Sequence, residues 1–289
     1  MVDRILRLVG FDPDAERVKL HDTPASDHVL LHKDLNGEER LQEWHYRSAI
    51  GGLSYLQAMN RPDLTMAVQQ CARFCNEPKK SHEEAVKRIC RYLLKTKDKG
   101  LIMRPDPSKG LECFVDADWA GSWCAESSTD PLSAHSRTGY VITYAGCPIL
   151  WASKLQTLIA LSTTEAEYIA LSSALREVIA VMQLLDELKA RKFPVHPSIP
   201  NVTCRTFEDN RSCIEIATNH KTRPRTKHLS VRLHHFRSFV ANNRISIQHI
   251  STKEQIADMF TKPLAKDQFT KLRDRLMNWD FYKSEGVRD

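Results

Sequence analysis

The succession of segments along the chain predicts an α/β fold: a mixed five-stranded sheet flanked by helices, preceded by a small, mainly helical unit. Three observations carry the prediction. From residue 43 to 95 apolar residues recur at helical spacing, and after Gly100 the texture turns to β. The stretch LECFVDADWAG, residues 111–121, alternates like a strand until Gly121 breaks it. A helix beginning at Glu165 then carries a continuous apolar stripe of Leu171, Ala174, Val178, Val181, Leu185 and Leu188.

Taken in order, residues 1–42 are mixed, charged and turn-rich, and are expected to be irregular. In WHYRSAIGGLSYLQAM, residues Tyr46, Ile50, Leu53, Tyr55 and Leu56 form one broad stripe. Arg61-Pro62-Asp63 opens a second helix through Phe74. A third runs to Leu94 from Ser81, a candidate N-cap with Glu84 three residues on. Strands follow at 111–118, 139–144 and 148–153, the last two joined by Ala145-Gly146-Cys147 as a hairpin. The long helix, about 165–192, leads to a strand at 202–207, helices at 209–218 and 229–242, and a strand at 245–250. Helices at 253–261 and 266–279 close the chain. The expected organisation is therefore 1–42 irregular, 43–100 helical, 108–262 α/β, and 263–289 a C-terminal helix and tail.

With 289 residues, 42% of them apolar, one large or two ordinary domains can form. The net charge of +6 says little, but its distribution is uneven. Residues 210–250 hold eight cations (Arg211, Lys221, Arg223, Arg225, Lys227, Arg232, Arg237, Arg244) against the single acid Glu215. Such a block is either a solvated face or a surface that meets phosphate. Eight cysteines lack paired short spacings; Cys71, Cys75, His82 and Cys90 could form a zinc set, but their segment has the pattern of an amphipathic helix. No signal-length apolar region and no stretch approaching a membrane span stands out, so an intracellular protein with reduced thiols is expected.

Four carboxylates stand out by position. Asp116 leaves an apolar strand, with Asp118 two residues on, and each could cap a turn. Glu167 falls on the apolar stripe of the long helix, whereas Glu165 points along a mostly polar direction. A capping box with Thr164 as N-cap and Glu167 reaching back would explain Glu167 without chemistry. Asp209 could cap the helix it opens, and Asp258 could be solvated surface. Strand exits and helix starts nevertheless converge on one rim of an α/β sheet. Four acids gathered there need divalent cations between them, and hard oxygen ligands favour Mg²⁺ or Mn²⁺.

Seven ordered motifs carry a resemblance: VDADWAG, SRTGY, ILWASKLQ, ALSTTEAEYIAL, EDNRSCIEIA, RTKHL with HHF, and STKEQIADMFTKPL. Together they resemble the ribonuclease H domain of copia-type retrotransposon Pol polyproteins. WHYRSAIGGLSYLQAMNRPDLTMAV and AVKRICRYLLKTKDKGL resemble the reverse-transcriptase tail before it, so the likeness covers about residues 20–279. It implies a ribonuclease H-like fold that hydrolyses the RNA strand of RNA–DNA hybrids with two Mg²⁺ ions, Mn²⁺ being able to substitute, and leaves a 3′-hydroxyl and a 5′-phosphate. Carried over, Asp116 would lie central between the ions, and Glu167, Asp209 and Asp258 would complete the ligands. Ala170, Ala174 and Leu175 fit the family register only from Glu167. Glu165, Asp118 and His249, which lies nine residues before Asp258, would be auxiliary. Arg223, Arg225, Lys227 and Arg232 would grip phosphate of a hybrid recognised by shape and 2′-hydroxyls. His228, His234 and His235 lack a fourth ligand at metal spacing and fit helix packing and phosphate contact better.

The implied partners are an RNA–DNA hybrid and the polymerase portion of the same polyprotein, with no membrane and no small-molecule cofactor. The implied location is the cytoplasmic retroelement particle, the nucleus, or both. The first 100 residues contain no Asp-Asp pair and leave no room for fingers and palm, so polymerase activity is expected to be absent. The main competitor is a catalytically idle nucleic-acid-binding remnant. A weaker one is a recombinase or integrase of the same fold, which would want a different acid spacing.

Overall fold

The structure is a computed structural model and describes residues 1–12, 19–27, 29–41, 43–124, 130–193, 202–218 and 234–280. Two compact units form: residues 1–102, 121–134 and 262–289 make one, residues 103–120 and 135–261 the other.

The first unit contains α1 (Val2–Leu8), α2 (Tyr46–Met59), α3 (Thr65–Ala72), α4 (Lys80–Lys95) and a last helix, α9 (Lys266–Met277). A 3₁₀ turn at Pro62–Leu64 precedes α3, since Pro at N1 presets the backbone for a helical start. The expected cap at Ser81 is corrected. His82 Nδ1 accepts from the Lys79 amide at 2.9 Å, so the N-cap is Lys79, two residues earlier, and Ser81 Oγ donates instead to Asp34 Oδ2 at 2.6 Å. Leu53, Leu64, Val68, Ile89, Tyr92 and Leu93 fill the core. Helix α9, the expected C-terminal helix, falls within this unit. Phe269 meets the ring of Tyr92 edge-on at 5.9 Å, and beyond the helix Trp279 Nε1 donates to the Gly100 carbonyl at 2.8 Å.

The second unit holds β1 (Leu111–Asp118), β2 (Arg137–Tyr144), β3 (Cys147–Leu155), α5 (Thr163–Ala190), β4 (Cys204–Glu208), α6 (Arg211–Thr218), α7 (Arg237–Ala241), β5 (Ile245–His249) and α8 (Asp258–Thr261). The strands lie in the order β3-β2-β1-β4-β5, antiparallel across β1–β2–β3 and parallel across β1–β4–β5. This is the mixed five-stranded sheet that the segment order predicts. Tyr144 pairs with Cys147 across a two-residue turn, and Ala145 (φ 52°) and Gly146 (φ 75°) both adopt positive φ, as a primed hairpin turn requires.

Helix α5 connects β3 to β4 and covers one face of the sheet. Ala166, Ala170, Leu171, Ala174, Leu175, Val178 and Met182 pack with Cys113, Val115, Ile142 and Cys204 in one buried cluster. By length and composition alone this helix could cross a membrane, which corrects the view that no stretch approaches a span. Its apolar residues are here the core side of a sheet-covering helix. On the opposite face Phe114 and Phe207 stack at 4.8 Å, and α8 packs on β1 and β2. Gly139, opposite Asp116 in the register, permits that approach: a Cβ there would fall 2.6 Å from Thr261 Cγ2 and 2.8 Å from Phe260 Cβ.

Candidate metal centre

The site forms where two parallel strands part. β1 and β4 pair only from Leu111 with Cys204 to Phe114 with Phe207, after which the ladder ends. The gap would leave strand carbonyls inside the protein without partners. Gln255, fully buried, fills it. Its Nε2 donates to Val115 O at 2.9 Å and to Phe207 O at 3.3 Å, while its Oε1 accepts from the Ala257 amide at 3.3 Å. The residues just past the gap are Asp116 on β1 and Glu208-Asp209 at the end of β4. Gln255 thus fixes the start of α8, where Asp258 sits, against both strand ends.

Two of the competing capping roles turn out to be filled by neighbouring residues. Ser162 is the N-cap of α5, accepting from the Glu165 amide at 3.2 Å, and Glu165 Oε2 accepts from the Leu161 amide at 2.9 Å. The cap expected of Thr164 and Glu167 is therefore made by Ser162 and Glu165, two residues earlier. Glu165 is accordingly a capping residue, and Glu167 lies buried one-half turn further on. At α6 the Cys213 amide donates to Asn210 Oδ1 at 3.0 Å, so Asn210 caps the helix and Asp209 does not. Asp209 Oδ2 accepts instead from Thr252 Oγ1 at 2.7 Å. Asp116, buried, accepts on Oδ2 a short hydrogen bond from Thr261 Oγ1. Asp258 is buried at the first position of α8.

Asp116, Glu167, Asp209 and Asp258 are thereby brought to one rim, joined by Glu208. Asp116, Asp209 and Asp258 each offer an oxygen within 4.8 Å of the others, and so do Glu167, Glu208 and Asp209. Asp209 is common to both groups, the place that the family pattern would give to Asp116. Glu208 was absent from the sequence reading. The signal available was parity: Cys204, Thr206 and Glu208 occupy alternate, buried positions of β4, so the glutamate shares a face with core residues. Burial pushes its carboxyl well above the usual range; the Asn210 amide at 3.0 Å opposes this, and the charges of Asp116 and Asp209 push it further up. Burial likewise raises the Cys213 thiol strongly, with Glu208, Glu167 and Asp209 adding to the effect.

Other expected residues take different places. Asp118 ends β1 opposite Arg137 and lies outside both groups. His249 is exposed at the end of β5, beside Glu208 in the register, and also lies outside them. Arg223, Arg225, Lys227, Arg232 and His228 lie outside the described residues. His82 is engaged by the Lys79 amide and the His32 carbonyl, and burial pushes the Cys71 and Cys90 thiols up to about 12. That set forms no ligand group among the described residues.

The donor set fits a hard divalent cation, being all carboxylate oxygen at chelating separation in a buried setting. One buried oxygen of the set, Glu208 Oε2, has no hydrogen-bond partner among the described residues.

No protein-family model matches the chain. It is 38% identical over 253 residues to the retrovirus-related Pol polyprotein of transposon TNT 1-94 from Nicotiana tabacum, covering 86% of this chain and 18% of that protein. The corresponding protein of transposon RE1 from Arabidopsis thaliana is 32% identical over 241 residues, covering 83% and 15%. The chain belongs to the copia-type retrotransposon Pol family. It spans less than a fifth of the length of these Pol relatives. The sheet order above is the mixed five-stranded arrangement that the resemblance to ribonuclease H implies. Among solved structures, LC11-RNase H1 in complex with an RNA/DNA hybrid aligns over 52% of the chain and 93% of its own, at 15% identity and a TM-score of 0.34.

Proposed function

We propose that this Pol-family chain is an endoribonuclease that cleaves the RNA strand of RNA–DNA hybrids at the carboxylate rim, using two divalent cations, Mg²⁺ by preference. The observation that carries the reading is the pair of carboxylate groups sharing Asp209 where β1 and β4 separate. Asp116, Glu167, Asp209 and Asp258 would hold the ions. When bound, such ions activate a water for attack on the phosphate and stabilise the leaving 3′-oxygen.

The protein's own contribution is positional. Thr261 fixes one oxygen of Asp116, Thr252 fixes one oxygen of Asp209, and Gln255 ties both strand ends to the helix that carries Asp258. Preorganised ligands of this kind avoid the cost of gathering like charges at the moment of reaction. The basic residues Arg223, Arg225, Lys227 and Arg232 are the proposed grip on phosphate. The proposal gives this chain no polymerase step and places its action in a retroelement particle or the nucleus.

The test is cleavage of a labelled RNA–DNA hybrid by the purified chain with Mg²⁺, with Mn²⁺ and with EDTA. RNA-strand cutting that needs metal and falls by about 10³-fold or more in Asp116→Ala is expected. Salt-sensitive hybrid binding without cutting in either metal would replace the proposal by an idle binding module.

A further inference from the structure

The acids that the family pattern supplies number four, yet the rim holds a fifth carboxylate whose placement is the more constrained. Glu208 is the last residue of β4, fixed on one side by register with His249 and by the Ile250 amide donating to its carbonyl at 3.0 Å. Its side chain is 0% exposed. One oxygen, Oε1, accepts from the Asn210 amide at 3.0 Å. The other, Oε2, is buried without a hydrogen-bond partner among the described residues, and the Glu208 carboxylate has an oxygen within 4.8 Å of those of Glu167 and Asp209. Leaving a carboxylate oxygen dry and unpartnered is expensive, and burying it against two further acids makes it more so. A purely structural residue at this position would be an apolar one, like Cys204 two steps before Thr206 on the same face. The arrangement becomes favourable when a cation lies among these carboxylates.

We infer that Glu208 is a metal ligand that joins Glu167 and Asp209 on one divalent cation, while Asp258 serves the other. The inference rests on reading the rim as a two-cation centre and deepens it by adding a ligand to one of the ions. An all-carboxylate ligand set of this kind favours a hard cation. Glu208 and Glu167 should therefore act on the same ion, and Asp258 on the other.

Binding of Mn²⁺ alone to the full chain tests this without any need for turnover. Calorimetric titration should find two ions in the unsubstituted protein. Glu208→Gln should weaken one of them tenfold or more and leave the second within twofold, and Glu167→Gln should weaken that same ion. Asp258→Asn should weaken the other. Electron paramagnetic resonance of the bound Mn²⁺ identifies which ion is lost, and thermal unfolding in EDTA confirms that each variant is folded. Should Glu208→Gln not fold, Glu208→Asp, which withdraws the carboxylate by about one bond length, should weaken the same ion. Two ions retained within twofold in folded Glu208→Gln or Glu208→Asp overturn the inference while sparing the two-cation reading. An unsubstituted chain that takes up no Mn²⁺ overturns both.

Discussion

Both units bury carboxylates, and they do so by opposite means. In the helical unit each of the prominent buried acids has a base. Asp63, with a fully buried side chain, receives Arg61 through two hydrogen bonds of 2.9 and 2.8 Å and the Tyr92 hydroxyl at 2.7 Å. Glu83 is met by Lys87 at 2.8 Å and Arg40 at 3.4 Å, and Asp274 by Arg273 at 2.8 Å. In the sheet unit Glu112 is met by Arg205 at 2.7 Å, but Asp116, Glu167, Glu208, Asp209 and Asp258 are gathered against one another in two groups within 4.8 Å. The first arrangement is electrically complete as folded, while the second would be completed by a bound cation. The pairing chemistry of the helical unit is that of a scaffold, and the crowding of the sheet unit is that of a binding site.

Breaking a completed pair should therefore cost far more than removing a crowded charge. Arg61→Ala leaves Asp63 buried and unpaired, and also empties a cation–π contact with Trp279 at 5.5 Å. A loss of about 3–5 kcal/mol is expected in denaturant unfolding followed by a probe within the helical unit. Gln255→Leu, in the sheet unit, strands the Val115 and Phe207 carbonyls and should cost about 2–4 kcal/mol, with weakened Mn²⁺ binding. Gly139→Ala pushes on Thr261 and Phe260. It should cost about 1–3 kcal/mol and loosen the ion that Asp258 serves, read by the same titration. Glu208→Gln should leave the melting temperature in EDTA unchanged or raised, because an amide is buried there more cheaply than a carboxylate crowded by Asp116 and Asp209.

The smallest effect concerns pH. Hydrogen bonds from Lys266 and Lys95 hold the Asp22 carboxyl down to about 2, against 3.8 ordinarily. A folded-state value below the unfolded one stabilises fully above about pH 4 and is lost as pH falls from there to about 2. Asp22 is a third exposed, so solvent screening limits the loss to less than about 1 kcal/mol. Asp22→Asn should flatten the stability curve of the helical unit by that amount over this window alone.

Much of this was legible in the sequence because it is local. Strand alternation placed β1, the 3.6-residue stripe put Glu167 on the buried face of α5, and Ala145-Gly146 marked the hairpin. Ordered motifs supplied Asp116, Glu167, Asp209 and Asp258, which the fold brings to a single rim. Capping was decided by competition between adjacent candidates. Ser162 rather than Thr164, Asn210 rather than Asp209, and His82 in place of Ser81 satisfied the helix ends. Each has a side-chain acceptor at the right distance from an open amide, and sequence alone ranks such neighbours almost equally.

What the tertiary structure alone decided lies far apart along the chain. Gln255 plugs a gap between carbonyls 140 and 48 residues away, and α9 joins a helical unit some 170 residues earlier in sequence. Glu208 resembles, in sequence, any acid ending a strand. Its meaning depends on the pleat that buries it and on Glu167 arriving from another element. Local periodicity fixes which face a residue takes, since that is set by neighbouring backbone. Which charges then meet across the sheet is set by how strands part and helices close over them, and only the folded chain determines that.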